Sequence, residues 1–201
     1  NPEAFYALKD LLVREIGSLR PFDQSMLLTQ LINYTVRQVN KGNTGFYKDL
    51  FELYQLALVH KLVLPTGKIE AGVYQNIVSA GCREKAFAWT EQFVEEYAPF
   101  LEADIRQDCK TMALALISFN RSNYDQAIQL ITEQRFFNVL IQINARVILA
   151  KAWFEKFVQD LDCYDLLVYQ LDSNEKFIRR NSVISGPKKE ETLNFFIAVR
   201  H

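Results

Sequence analysis

Apolar residues recur along this chain at helical spacing and almost nowhere at the spacing of a strand. In one window Leu101, Ile105, Cys109, Met112, Leu116 and Phe119 step by 4, 4, 3, 4 and 3, which puts all six on one face of a helix. Sustained alternation, the mark of a half-buried strand, does not occur. The breakers agree: 7 Gly and 5 Pro in 201 residues are roughly half the usual share, too few for the turns of an all-β domain. With 49% hydrophobic residues and a net charge of −1, disorder is excluded as well. The expectation is a soluble all-α body with a large core.

The breakers fall between the periodic stretches rather than inside them. They place helices near 3–17, 23–41, 45–63, 69–81, 83–98, 101–120, 123–135, 137–158, 161–171, 173–182 and 188–200. Connections this short fold consecutive helices back as antiparallel hairpins. Four segments align as starts of second helices, Phe46–Leu50, Arg83–Ala86, Asn123–Ala127 and Cys163–Leu167, and their last residues step by 36, 41 and 40. A period of that size belongs to helix-pair solenoids, in which each hairpin buries its open face on the next. The expected fold is therefore a single helical-repeat domain over 1–201, a right-handed array of antiparallel helix hairpins.

The middle unit carries a resemblance. Leu114-Ala115 followed by Tyr124-Asp125-Gln126-Ala127 resembles a tetratricopeptide repeat, in which small residues let two helices approach and a Tyr plugs the turn between them. Thr111, Ser118 and Ile131 stand where that family prefers Trp, Tyr and Phe. What the resemblance implies is thus the helix-pair geometry rather than the family's peptide-carboxylate clamp. The last third, with Phe136-Phe137-Asn138-Val139, Asn144-Ala145-Arg146, Phe177-Ile178-Arg179-Arg180-Asn181 and Thr192-Leu193-Asn194-Phe195-Phe196, is similar to the C-terminal part of an uncharacterised bacterial family of helical-repeat proteins. That similarity, and a start at Asn-Pro-Glu, imply a C-terminal piece of a longer protein. It implies no activity.

Groups able to carry catalysis are sparse. The two histidines, His60 and His201, are far apart, and His60 suits the negative end of a helix dipole. No nucleophile elbow, phosphate-cradling glycine loop, zinc helix or calcium loop is present. Glu95-Glu96 and Glu190-Glu191 are adjacent pairs that diverge on a helix, and the second pair is expected in the first turn of the last helix, where negative charge is favoured. Cys82, Cys109 and Cys163 show neither a disulfide framework nor a CxxC spacing, so reduced thiols in a cytoplasmic protein are expected. No apolar run reaches the length that spans a bilayer. The chain is read as a non-enzyme with no catalytic residues, no cofactor and no metal site.

Binding residues are sought among the charges. Residues 174–201 hold six basic residues, Arg179, Arg180, Lys188 and Lys189 among them, against three acidic ones, while the chain as a whole balances 23 basic and 24 acidic residues. A basic end can meet an acidic partner or a phosphate, but mixed charge is common on any solvated surface, and nucleic acid is not favoured. Arg146 stands in Leu140–Leu149, a helix apolar on more than one side. Its guanidinium must reach solvent or be paired. One reading is an ion pair with Asp125, Asp162 or Asp165; the other makes Asn144 and Arg146 a ligand-facing polar patch. The expected function is a protein-interaction scaffold for another protein or an extended peptide. Its alternatives are a pentatricopeptide-like RNA binder, suggested by the 36-residue step, Tyr74–Gly81 and the basic end, or a regulatory module of an enzyme or assembly.

Overall fold

In the computed structural model, which describes residues 2–200, ten α-helices joined by turns and short 3₁₀ segments take up most of the chain, and no strand occurs among the described residues. They form two compact units divided between Ala86 and Phe87. The first contains α1 (Pro2–Glu15), α2 (Pro21–Asn40), α3 (Phe46–Val59) and α4 (Ala71–Arg83). Here α2 packs on α1 and α3, and α3 on α4. The second contains α5 (Phe87–Tyr97), α6 (Arg106–Asn120), α7 (Tyr124–Glu133), α8 (Val139–Gln159), α9 (Tyr164–Arg180) and α10 (Gly186–Arg200). There each helix packs on its successor through α6, α7, α8, α9 and α10, and α8 also lies on α6 and α10. Packing between adjacent and next-adjacent helices is the stacked helix-pair arrangement.

Rings join the first unit: Phe5 of α1 stacks on Tyr34 of α2 at 4.9 Å and meets Phe46 of α3 edge-on at 5.6 Å. In the second unit Ile143 and Ala150 of α8 pack with Leu167, Leu171 and Ile178 of α9 and Phe196 of α10. Residues buried on several sides of α8, Ile141, Ile143, Ala145, Ile148 and Leu149, fit a helix surrounded by neighbours.

The repeat is visible in the turns. Helices α2, α4 and α6 each end on a residue in the left-handed region, Gly42 (φ 88°), Lys85 (φ 56°) and Ser122 (φ 61°). In each case the next N–H reaches back to a carbonyl inside the helix: Asn43 to Gln38, Ala86 to Gly81 and Asn123 to Ser118. This is the Schellman closure, which satisfies the last carbonyls of a helix. An aromatic residue then opens each following helix, Phe46, Phe87 and Tyr124, as Tyr164 opens α9. Three residues on, Asp49, Thr90, Ala127 and Leu167 are buried, and seven on, Leu53, Val94, Ile131 and Leu171 are buried.

Several expected boundaries move. The aligned starts fall at 46, 87, 124 and 164, steps of 41, 37 and 40, because Arg83 closes α4 and residues 84–86 form its turn. The helix expected from 101 begins at Arg106: Arg106 Nη2 donates to the Pro99 and Leu101 carbonyls (3.0 and 3.1 Å) and holds the preceding segment out of the helix. The expected helices 161–171 and 173–182 are one, α9, since Leu167, Leu171, Asn174 and Ile178 keep one buried face across Asp172-Ser173. The last helix starts at Gly186, so Lys188 and Lys189, not the glutamates, occupy its first turn. Lys189 instead donates to the Arg179 carbonyl at the end of α9 (3.1 Å), where a cation is favoured.

Candidate functional site

Arg146 lies on α8, half-buried, one helical turn after Gln142. No carboxylate pairs with it. Asp125 binds Lys156, Asp162 donates its N–H to Asp160 Oδ1, and among the described residues Arg146 forms no salt bridge, so the expected ion pair is not made. Its Nη1 donates to Asn174 Oδ1 (2.9 Å), and Asn174 returns the bond from Nδ2 to the Arg146 carbonyl (3.2 Å). Asn174 is fully buried on α9, and Gln170, one turn earlier, also donates to its Oδ1 (2.8 Å). The Phe177 ring lies 4.2 Å from the guanidinium carbon, a cation–π contact. Burial pushes the Arg146 pKa below the ordinary arginine value, since a low-dielectric setting disfavours the charged form.

This guanidinium borders a cleft of about 260 Å³ between α7, α8 and α9, lined by Thr132, Gln134, Phe136, Gln142, Arg146, Gln170 and Ser173 with Ile131, Ala145 and Leu149. One wall is held from α6. Asp108, 1% exposed, accepts the Phe137 and Asn138 N–H groups (both 2.8 Å) and Gln134 Nε2 (3.1 Å). Asn138 in turn caps α8 by accepting from the Leu140 and Ile141 N–H groups. A buried carboxylate is thus satisfied by three neutral donors, which is how an unpaired buried charge is tolerated.

The remaining sequence-selected residues are spread out. Asn144 is half-buried and outside the cleft lining. Arg179 reaches Glu175 at 3.7 Å, Lys188 pairs with Glu191 at 3.0 Å, and Lys189 is spent on the end of α9. Arg180 is exposed. Arg200 binds both Asp172 and Glu175, at 2.6 and 2.8 Å. Half of the basic residues at this end, Arg179, Lys188 and Arg200, are thus paired with nearby carboxylates. Within Tyr74–Gly81, Tyr74, Ile77, Val78 and Ala80 are buried, while Asn76 is exposed and Gln75 and Ser79 are half-buried. Asp108, Asn174 and Gln170 were missed in the sequence. The available signal was position: Asp108 is four and seven residues before Met112 and Ala115, on the face that is buried.

No known protein family, curated protein or solved structure matches this chain. Among the described residues no helix is long and apolar enough to cross a membrane, and no group of three or more His, Cys, Asp or Glu side chains is placed to hold a metal ion. Cys82 and Cys109 are buried, Cys163 is half-buried, and none of the three is in a disulfide among the described residues. His60 follows α3 and donates its N–H to the Leu56 carbonyl; His201 lies outside the described residues. The chemistry on hand at the cleft is one guanidinium with amides and hydroxyls. None of its members exchanges protons near neutral pH, so what the set offers is hydrogen bonds and one positive charge.

A second surface feature lies at the other end of α8. Val158, Leu161, Tyr164, Leu166 and Tyr169 are all at least half exposed within twelve residues, Leu161 and Tyr169 above 70%. Tyr164 leans on Phe157 at 5.6 Å, and Leu166 and Tyr169 share the outer face of α9.

Proposed function

We propose that this protein is a non-catalytic interaction scaffold, a tetratricopeptide-like, right-handed array of helix hairpins that holds another protein or an extended peptide in the cytoplasm. The observation that carries the reading is the cluster of exposed apolar side chains at the α8–α9 turn, Val158, Leu161, Tyr164, Leu166 and Tyr169. Large apolar groups concentrated on a surface are retained where a partner covers them. Tyrosine adds contact area at low entropic cost. Less supports the RNA alternative: the first aligned step is 41 rather than 36, the apolar residues of Tyr74–Gly81 are buried, and three of the six basic residues at the C-terminal end, Arg179, Lys188 and Arg200, are held in ion pairs.

A photo-reactive phenylalanine analogue at Tyr169 tests this in extract of the native host. The expected product is a discrete protein or peptide adduct that disappears when Leu161→Glu and Leu166→Glu are added at unchanged Tm. An adduct indifferent to those substitutions, or recovery of RNA instead, contradicts the scaffold reading.

A further inference from the structure

Arg146 is a cation held in place but not neutralised. Among the described residues only Nη1 of its three guanidinium nitrogens has an acceptor; Nε is buried without one there, and Nη2 has none there either. What faces the charge is a neutral amide and an aromatic ring. Neither supplies negative charge, and a half-buried guanidinium in that setting carries a desolvation cost that an anion would offset.

The cleft beside it is furnished for one kind of anion. Arg146 is the single charged residue in its lining, so the site is complemented by one negative charge, that of a carboxylate. A phosphate concentrates between one and two negative charges on a single group at neutral pH, more than one guanidinium offsets, whereas each carboxylate carries one and the second group of a diacid can stay in solvent. Neutral donors stand ready: the Gln142 amide and the Ser173 hydroxyl make no hydrogen bond to other described residues, and Gln170 uses one amide hydrogen on Asn174. The volume, about 260 Å³, is below the range of roughly 300–1,000 Å³ of drug-sized pockets, and suits an acidic side chain or a small acid.

We propose that the α7–α8–α9 cleft is a carboxylate-binding site, with Arg146 Nη2 as the charged donor and Gln142 and Ser173 as the neutral ones. Both a free small acid and an acidic side chain offer this chemistry. The assignment does not rest on the scaffold reading, because it follows from the unmatched charge alone.

The test is side-chain NMR of the full chain, following the Gln142 and Gln170 amides during titration with glutarate, with its neutral isostere glutaramide, with inorganic phosphate, and with a capped peptide carrying one Glu or, as control, one Gln. Saturable shifts are expected with glutarate, the Glu peptide or both, and none with glutaramide or the Gln peptide. Response to glutarate alone identifies a free acid as the source, whereas tighter binding of the Glu peptide identifies an acidic side chain. Arg146→Gln is expected to weaken binding at least about tenfold, the effect of losing a charged hydrogen-bond partner. Gln142→Glu keeps the fold by adding a carboxylate one turn before Arg146, a favourable pair, and is expected to block the ligand by taking its place. The assignment is overturned if neither carboxylate probe gives saturable shifts, if glutaramide shifts the amides as strongly, if phosphate binds more tightly than glutarate, or if Gln142→Glu binds like the parent. A Tyr169 adduct that Leu161→Glu and Leu166→Glu abolish, together with no carboxylate response, would leave the scaffold standing and remove this site.

Discussion

The two units treat buried charge in opposite ways. In the first, Lys9 of α1 meets two carboxylates of α3, Asp49 Oδ1 and Glu52 Oε2, each at 2.5 Å, and Tyr6 donates to the other oxygen of Asp49 at 3.2 Å. In the second, Arg146 and Asp108 are both withdrawn from solvent, yet neither has an opposite charge; amides, backbone N–H groups and a ring take that place. A matched pair ties two helices together and has nothing left to offer. An unmatched charge retains its capacity to bind, and the second unit keeps its unmatched cation at a cleft.

This contrast can be broken at several points. The largest effect is expected for Asp108→Ala, which strands the Phe137 and Asn138 N–H groups and Gln134. At about 1–3 kcal/mol for each buried group left unsatisfied, a loss of about 4 kcal/mol is expected in denaturant unfolding; a loss under about 1 kcal/mol would mean water replaces the carboxylate. Lys9→Met comes next. It leaves Asp49 buried without its cation and should cost about 3 kcal/mol. Arg146→Met is expected to stay within about 1 kcal/mol of the parent, because removing an uncompensated charge offsets the lost bond to Asn174. Equal losses for the two methionine variants would erase the distinction between the units.

A smaller effect lies in the pH dependence. Burial of Lys9 opposes its charge, but hydrogen bonds to Asp49 and Glu52 and their negative charge outweigh it, and its pKa stands above the ordinary lysine value of 10.5. A group that binds its proton more tightly when folded contributes stability that is fully present below 10.5 and is lost as pH rises through the folded value. Tyr54, its pKa raised by burial, weakens the fold in the same direction above 10.0. The parent should therefore lose stability with rising alkaline pH more steeply than Lys9→Met; Tyr6, its pKa raised by burial and by Asp49 and lowered by Lys9, also responds to that change, so the comparison is made with Tyr6→Phe in both chains. Parallel slopes would remove Lys9 as the cause.

How much of this was legible in the sequence differs by level. Helical class and hairpin organisation follow from spacing and breakers, and Ala115 and Ala127, small residues expected where two helices approach, are both fully buried on α6 and α7, which pack on each other. The second repeat start was misplaced because Gly81 looked like a breaker, yet it lies buried inside α4, where a small residue permits close packing. Asp172-Ser173 looked like a stop, but the buried face runs through it. At the site, Arg146 stood out as a charge on an apolar helix. Its partner did not, because an amide on a different helix leaves no mark of complementary charge, and the eye goes to aspartates.

The segment from Gln134 to Asn138 borders the cleft at Gln134 and Phe136 and is fastened to α6 by Asp108. A ligand arriving there finds that wall already set, so the entropy of ordering it is charged to folding and not to binding. By linkage, the same bonds run the other way: occupancy of the cleft stabilises a helix that the ligand never touches, and changes in the α6 core retune affinity from a distance.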